Sequence, residues 1–201
     1  MIDWFIKNYI EIAGALAGLV YVLLSIRQNI WLWPVGFLTS AIFILVFFNS
    51  KLYATMLLQV YYLVISVYGW YYWKYGNKTK EGEEQVVSTK FIPGKMIIVS
   101  VVCAFVLEYP IYWLLKTYTD SPYPVWDSVT TTLSIVATWM LARKYIENWI
   151  VWIVTDAIAV SLYFYMKLYT TTGLFLAYTI LAIVGYFEWK KELNAKEISK
   201  K

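Results

Sequence analysis

The sequence predicts an all-α integral membrane protein with seven transmembrane helices, and three observations carry that prediction. Of its 201 residues, 61% are apolar and only 15% are charged, with a mean hydropathy of +0.57, far from the balance of an ordinary water-soluble domain. Apolar stretches of about 20 residues, the length that crosses roughly 30 Å of hydrocarbon, recur along the whole chain. The first part of the chain also repeats in the last part at a near-constant offset of 116 residues.

The spans fall near residues 8–26, 30–48, 52–73, 96–116, 127–145, 149–166 and 168–189. The first lacks a charged leader and a small-residue cleavage site and reads as a retained helix. After the third comes the polar run GNKTKEGEEQ, so residues 74–95 read as a flexible connector. Residues 1–73 then form a first three-helix repeat, 96–116 a linker helix, and 117–201 a second repeat with a C-terminal tail.

The repeat rests on residue types that rarely match by chance. Lys51-Leu52-Tyr53 recurs as Lys167-Leu168-Tyr169, Thr55 as Thr171, Tyr62 as Tyr178, Gly69 as Gly185, Trp73 as Trp189, Arg27 as Arg143 and Glu11 as Asp127. One compensated shift is expected, pairing Asn29 and Trp33 with Asn148 and Trp152 at an offset of 119. Three spans are an odd number, so a further crossing is needed for both copies to share an orientation. The span at 96–116 supplies it. The expected architecture is 3+1+3, with parallel repeats related by an axis along the membrane normal and a SWEET-like arrangement in which substrate sites lie between the repeats.

Seven spans place Arg27, Lys74, Lys78, Lys80, Lys90, Lys95, Arg143, Lys144, Lys190, Lys191, Lys196, Lys200 and Lys201 on one side, against Lys7, Lys51, Lys116 and Lys167 on the other. Positively charged loops stay cytoplasmic, so the C-terminus is expected inside and the N-terminus outside. The same distribution assigns the net charge of +4 to topology and the lipid bilayer, with no nucleic-acid partner. The chain contains no histidine, which removes histidine base chemistry, histidine-dependent nucleophile triads and histidine-ligated metals. The single Cys103 forms no intramolecular disulfide. Phosphate-binding glycine motifs are missing too, so no cofactor, metal or catalytic set is expected, and pumping by this chain alone is not.

Ionisable groups within a span are expensive, which makes each a functional candidate. Asp156 lies eight residues after Asn148, about 12 Å into its span at the rise of an α-helix. Trp149, Trp152 and Asp156 share one helical face. Two indoles beside a carboxylate suit a flat organic cation, through cation–π attraction and charge pairing. Glu108, beside Pro110 on the linker span, reaches a similar depth and is a second acidic candidate for the same cavity. Asn29 and Trp33 are candidates for the opposite wall or a gate. Gln59, Tyr62 and Tyr178 can hydrogen-bond a solute or equally tie helices together. Asp127 and Glu11 read as solvated carboxylates at span ends. Gly69 and Gly185 read as sites of close helix packing, and Tyr71-Tyr72-Trp73 and Tyr186-Phe187-Trp189 as interfacial belts. Two other classes stand beside a transporter: an intramembrane enzyme using Asp156 and Glu108 as acid and base, and a scaffold in which these polar groups only join helices.

The segment Glu147 to Asp156, reading WxxWxxxD, together with the repeated Asn-x-x-x-Trp and the 3+1+3 spans, resembles the PnuC-type vitamin transporters of bacterial inner membranes over almost the whole chain. The resemblance implies facilitated diffusion of nicotinamide riboside, with related members carrying thiamine or riboflavin, and trapping of the product by a cytoplasmic kinase. It implies that Asn148, Trp149, Trp152 and Asp156 line the substrate path. The last motif position is Asp here where the family also uses Asn, which leaves thiamine a close competitor. A homo-oligomer, a trimer included, is compatible with the sequence.

Overall fold

The computed structural model describes residues 2–49, 53–76 and 87–198. Lys51 and Leu52 of the repeated Lys-Leu-Tyr, residues 77–86 with all of the polar run but Gly76, Lys200 and Lys201, and the side chains of Lys7, Glu11 and Lys196 lie outside the described residues. Seven helices follow in order: α1 Ile2–Ile26, α2 Leu32–Asn49, α3 Tyr53–Tyr75, α4 Gly94–Tyr118, α5 Pro124–Ala142, α6 Asn148–Tyr165 and α7 Tyr169–Ile198. Helix α1 packs on α2 and α7, α3 on α2 and α5, and α6 on α5 and α7. Six helices therefore close a ring, with α1 opposite α5, α2 opposite α6 and α3 opposite α7. The linker helix α4 stands outside it, against α5 and α3.

Among the described residues four helices, α2, α4, α6 and Tyr169–Ala195 of α7, are long and apolar enough by composition alone to cross a membrane. Helix α5 is less apolar because it is covered on two sides, by the ring and by α4: Ser128, Thr132 and Thr138 are buried along it. Two of its hydroxyls bond the preceding turn, Ser134 the Thr130 carbonyl and Thr138 the Ser134 carbonyl, each at 2.7 Å. Helix α4 is the reverse. Ile98, Phe105, Val106 and Tyr109 are all well exposed on its outer side, as a lipid-facing helix requires.

The repeat holds at 116 without interruption. Helix ends fall at 26 and 142, starts at 32 and 148, ends at 49 and 165, and starts at 53 and 169. The connecting turns agree as well, because Gln28 and Lys144 both adopt the left-handed conformation, with φ of 51° and 56°. This corrects the expected local shift to 119. Trp33 corresponds to Trp149, not Trp152, and Asn29 to Tyr145. The Asn-x-x-x-Trp match is a coincidence of residue types on a backbone whose turns are equal in length.

Trp73 and Trp189 are corrected too. They are 3% and 0% exposed, so they form no interfacial belt. The Trp73 indole donates to the Ala142 carbonyl at 3.1 Å, and that of Trp189 to the Ser25 and Ile26 carbonyls, each at 3.2 Å. The third helix of each repeat thus caps the first helix of the other, satisfying carbonyls that a helix C-terminus leaves unpaired. Trp189→Phe is expected to lower the midpoint of thermal unfolding in detergent by an amount equivalent to about 1 kcal/mol, the usual net worth of one such bond; an unchanged midpoint would show that the bond does not hold the repeats together.

The connector is docked at its far end. Val87, Thr89 and Ile92 are buried. Lys90 pairs with the α5–α6 turn, its amide donating to the Lys144 carbonyl and its carbonyl accepting from the Ile146 amide, both at 3.1 Å. Glu147 accepts the Ile92 amide at 3.0 Å. The apolar residues after the charged run supply this anchor.

Candidate functional site

A cavity of about 300 Å³ lies inside the ring, lined by all six of its helices. Of the residues singled out above, Gln59, Tyr62, Trp149, Trp152, Asp156 and Tyr178 line it, brought together from α3, α6 and α7. Asp156 is 5% exposed. No Lys or Arg lines the cavity, and Asp156 has no hydrogen-bond or ion-pair partner among the described residues. The amide of Gln59 and the indole N–H of Trp152 likewise have none. The cavity is therefore acidic and aromatic, with the Asp156 carboxylate, the Gln59 amide and the Trp152 indole N–H unpartnered among the described residues.

The other four candidates lie elsewhere. Glu108 accepts from the Ser128 hydroxyl at 2.6 Å across the α4–α5 seam, outside the ring, because depth along a helix does not fix the face a side chain takes. It therefore does not pair with Asp156. Asn148 is fully buried and donates to the Tyr145 carbonyl at 2.7 Å, fixing the turn into α6. Asn29 accepts the Trp31 amide at 2.9 Å in the matching turn before α2, a local role typical of Asn. Trp33 is 1% exposed and belongs to the closure beneath the cavity.

That closure is a cluster of four indoles. Trp33 meets Trp73 edge-on at 5.5 Å, Trp149 meets Trp189 edge-on at 5.6 Å, and Trp73 and Trp189 join the pairs at 6.4 Å. Edge-to-face contact at such spacing is the favoured geometry for aromatic rings. Gly69 and Gly185 make the cluster possible, since a methyl group on either would run into the six-membered ring of Trp33 or Trp149. Below it, Lys144 donates to the Gln28 side chain at 3.0 Å and lies 4.2 Å from the Trp73 ring centre, while Gln28 also bonds Glu192. Gln28 and Lys144 are repeat equivalents, so this bond joins the repeats at the end that carries Arg27 and Arg143.

Cavity residues missed in the sequence are mostly small: Gly14, Gly18, Gly36, Ser40 and Ser66, with Tyr21. Small residues in apolar spans carry no signal of their own. The offset of 116 does point to Ser40, which stands where the second repeat has Asp156.

Residues 8–191 match the family described as nicotinamide mononucleotide transporter. The chain is 26% identical over 203 residues to the nicotinamide riboside transporter PnuC of Escherichia coli (strain K12), covering 90% of this chain and 85% of that protein. It is also 26% identical over 181 residues to the riboflavin/roseoflavin transporter RibM of Streptomyces davaonensis, covering 89% and 83%. The fold is similar to the crystal structure of the vitamin B3 transporter PnuC, with a TM-score of 0.70 at 21% identity, over 96% of this chain and 87% of that one.

Proposed function

Because the chain belongs to the nicotinamide mononucleotide transporter family and is thus a multi-pass membrane transporter and no enzyme, we propose that it carries a cationic aromatic vitamin, nicotinamide riboside, by facilitated diffusion. The observation that supports this most is Asp156, a carboxylate without a cationic partner among the described residues, inside an aromatic cavity. A buried charge is costly unless paired. A pyridinium ring supplies the missing charge and a face for Trp152 to stack on.

The same chemistry argues for the riboside over its phosphate. A phosphate needs cationic or multiple N–H partners, and among the described residues the lining offers neither Lys nor Arg. Once phosphorylated by a cytoplasmic kinase, the product no longer fits an acidic site and stays inside. No energy source is required of the carrier. The mechanism is alternating access: the repeats rock about the cavity, and the four indoles separate when the end they close opens. The excess of Lys and Arg at that end supports a cytoplasmic location for it, with the C-terminus inside and the chain in the bacterial inner membrane.

Thiamine is the second reading, favoured by the carboxylate at Asp156, which accepts from an aminopyrimidine as well as pairing with a cation. The test is a titration of the purified protein, following its tryptophan fluorescence, with nicotinamide riboside, thiamine, riboflavin and nicotinamide mononucleotide. Saturable quenching by nicotinamide riboside, with none by riboflavin or the mononucleotide, is expected. A response confined to thiamine selects the second reading, and one confined to neutral riboflavin overturns both.

A further inference from the structure

The helices of the ring obey a two-fold repeat, yet the cavity they enclose does not. Trp152 of α6 has Gly36 as its counterpart on α2, and Asp156 has Ser40. A methyl group at Gly36 would stand 3.0 Å from both the Ser66 hydroxyl and the Tyr21 ring. At these two positions α2 therefore presents a shallow wall of small, uncharged groups, with Tyr21 of α1 and Ser66 of α3 packed close to it. The matching positions of α6 present a bulky, acidic wall of Trp152 and Asp156.

Ser40 is the informative member of the shallow wall. In this protein a helical hydroxyl usually bonds the carbonyl four residues earlier, as Ser66, Ser100 and Thr155 do at 2.7 to 2.8 Å. Ser40 is only 4% exposed but makes no such bond and has no partner among the described residues. Its oxygen is not among the sealed, unsatisfied atoms either, which leaves it facing the cavity it lines. Gln59, with an unpartnered amide, lines the same cavity from α3. A hydroxyl and an amide offer donors and acceptors without charge. They suit the hydroxyl groups of a sugar and have nothing to offer a second charged ring.

We propose that Ser40, supported by Gly36, Ser66 and Gln59, forms a sugar subsite across the repeat axis from Trp152 and Asp156. The solute then lies across the axis, with its cationic ring on α6 and its hydroxyl-bearing part on α2, and Ser40 is a specificity-determining residue for ribosides. This rests on the assignment of Asp156 to the cationic ring.

The test compares two probes, nicotinamide riboside and N1-methylnicotinamide, which has the same cationic ring without the sugar. Each is titrated by tryptophan fluorescence into the wild type, Ser40→Ala and Ser40→Val, with thermal unfolding in detergent as a check on folding. Ser40→Ala is expected to weaken the riboside about fivefold, as loss of one hydrogen bond does. Ser40→Val should weaken it further by filling the space. Binding of N1-methylnicotinamide should stay within about twofold in both variants, since no bond to Ser40 is lost. Equal weakening of both probes, or of neither, overturns the sugar subsite while leaving the Asp156 assignment standing. Failure of both probes to bind the folded wild type overturns that assignment and the subsite with it.

Discussion

Asp156→Asn is expected to weaken binding of the cationic substrate about thirtyfold and to lower uptake into vesicles in proportion. Asn keeps the shape and removes the charge. A hydrogen bond to a charged group is worth about 1.5 to 3 kcal/mol, and each 1.4 kcal/mol is a factor of ten in affinity. The side chain has no cation among its described neighbours, so the empty protein bears the cost of its burial and the substrate relieves it. The same variant should therefore melt no lower than the wild type in detergent, because it loses an unpaired charge and no bond. Uptake equal to that of the wild type would show that the carboxylate does not meet the substrate. A fall in melting point together with uptake would instead assign Asp156 to the folded structure.

Gly185→Val should have the largest effect on stability. A Cβ there would lie 2.6 Å from the Trp149 ring, and that ring is held edge-on by Trp189, so neither group can move aside cheaply. Overpacking of this kind costs about 1 to 3 kcal/mol and sometimes more, or roughly 2 to 12 °C in melting midpoint for a domain of this size. Gly69→Val should behave alike, because Trp33 stands over Gly69 in the same way. Gly173→Ala is the control: nothing lies within 4 Å of the added carbon, and Ala is the better helix former. A Gly185→Val protein as stable as this control would show that the indole cluster is loosely packed.

The spans and the repeat were legible because both depend on patterns a membrane enforces, length of apolar run and identity of residue type along the chain. At Trp33 residue type and spacing disagree, and spacing decides the register. Two equal turns fixed by Gln28 and Lys144 leave no room for a three-residue shift. Asp156 was legible because a carboxylate inside an apolar span stands out whatever surrounds it. Glu108 stood out equally and misled, since helical depth says nothing about face, and its serine partner on α5 is 20 residues away. Trp73 and Trp189 read as belts because aromatic residues beside lysines at span ends ordinarily are. Only the crossing of each third helix onto the other repeat buries them, and no local pattern encodes that crossing. The shallow wall of Gly36 and Ser40 was silent for a different reason. It is defined by atoms it lacks.

That crossing bears on where such a chain comes from. Each half gives an indole to the other's helix end and receives one in return, Trp73 to Ala142 and Trp189 to Ser25 and Ile26. A half-length chain cannot complete its own closure, though two copies of it side by side can complete each other's. Duplication and fusion of such a gene preserve the exchange only if both halves insert the same way up, and α4 provides the crossing that makes this so. Joined in one polypeptide, the halves are then free to differ at the centre, as Ser40 and Asp156 do, while the reciprocal clasp at the rim keeps both under the same constraint.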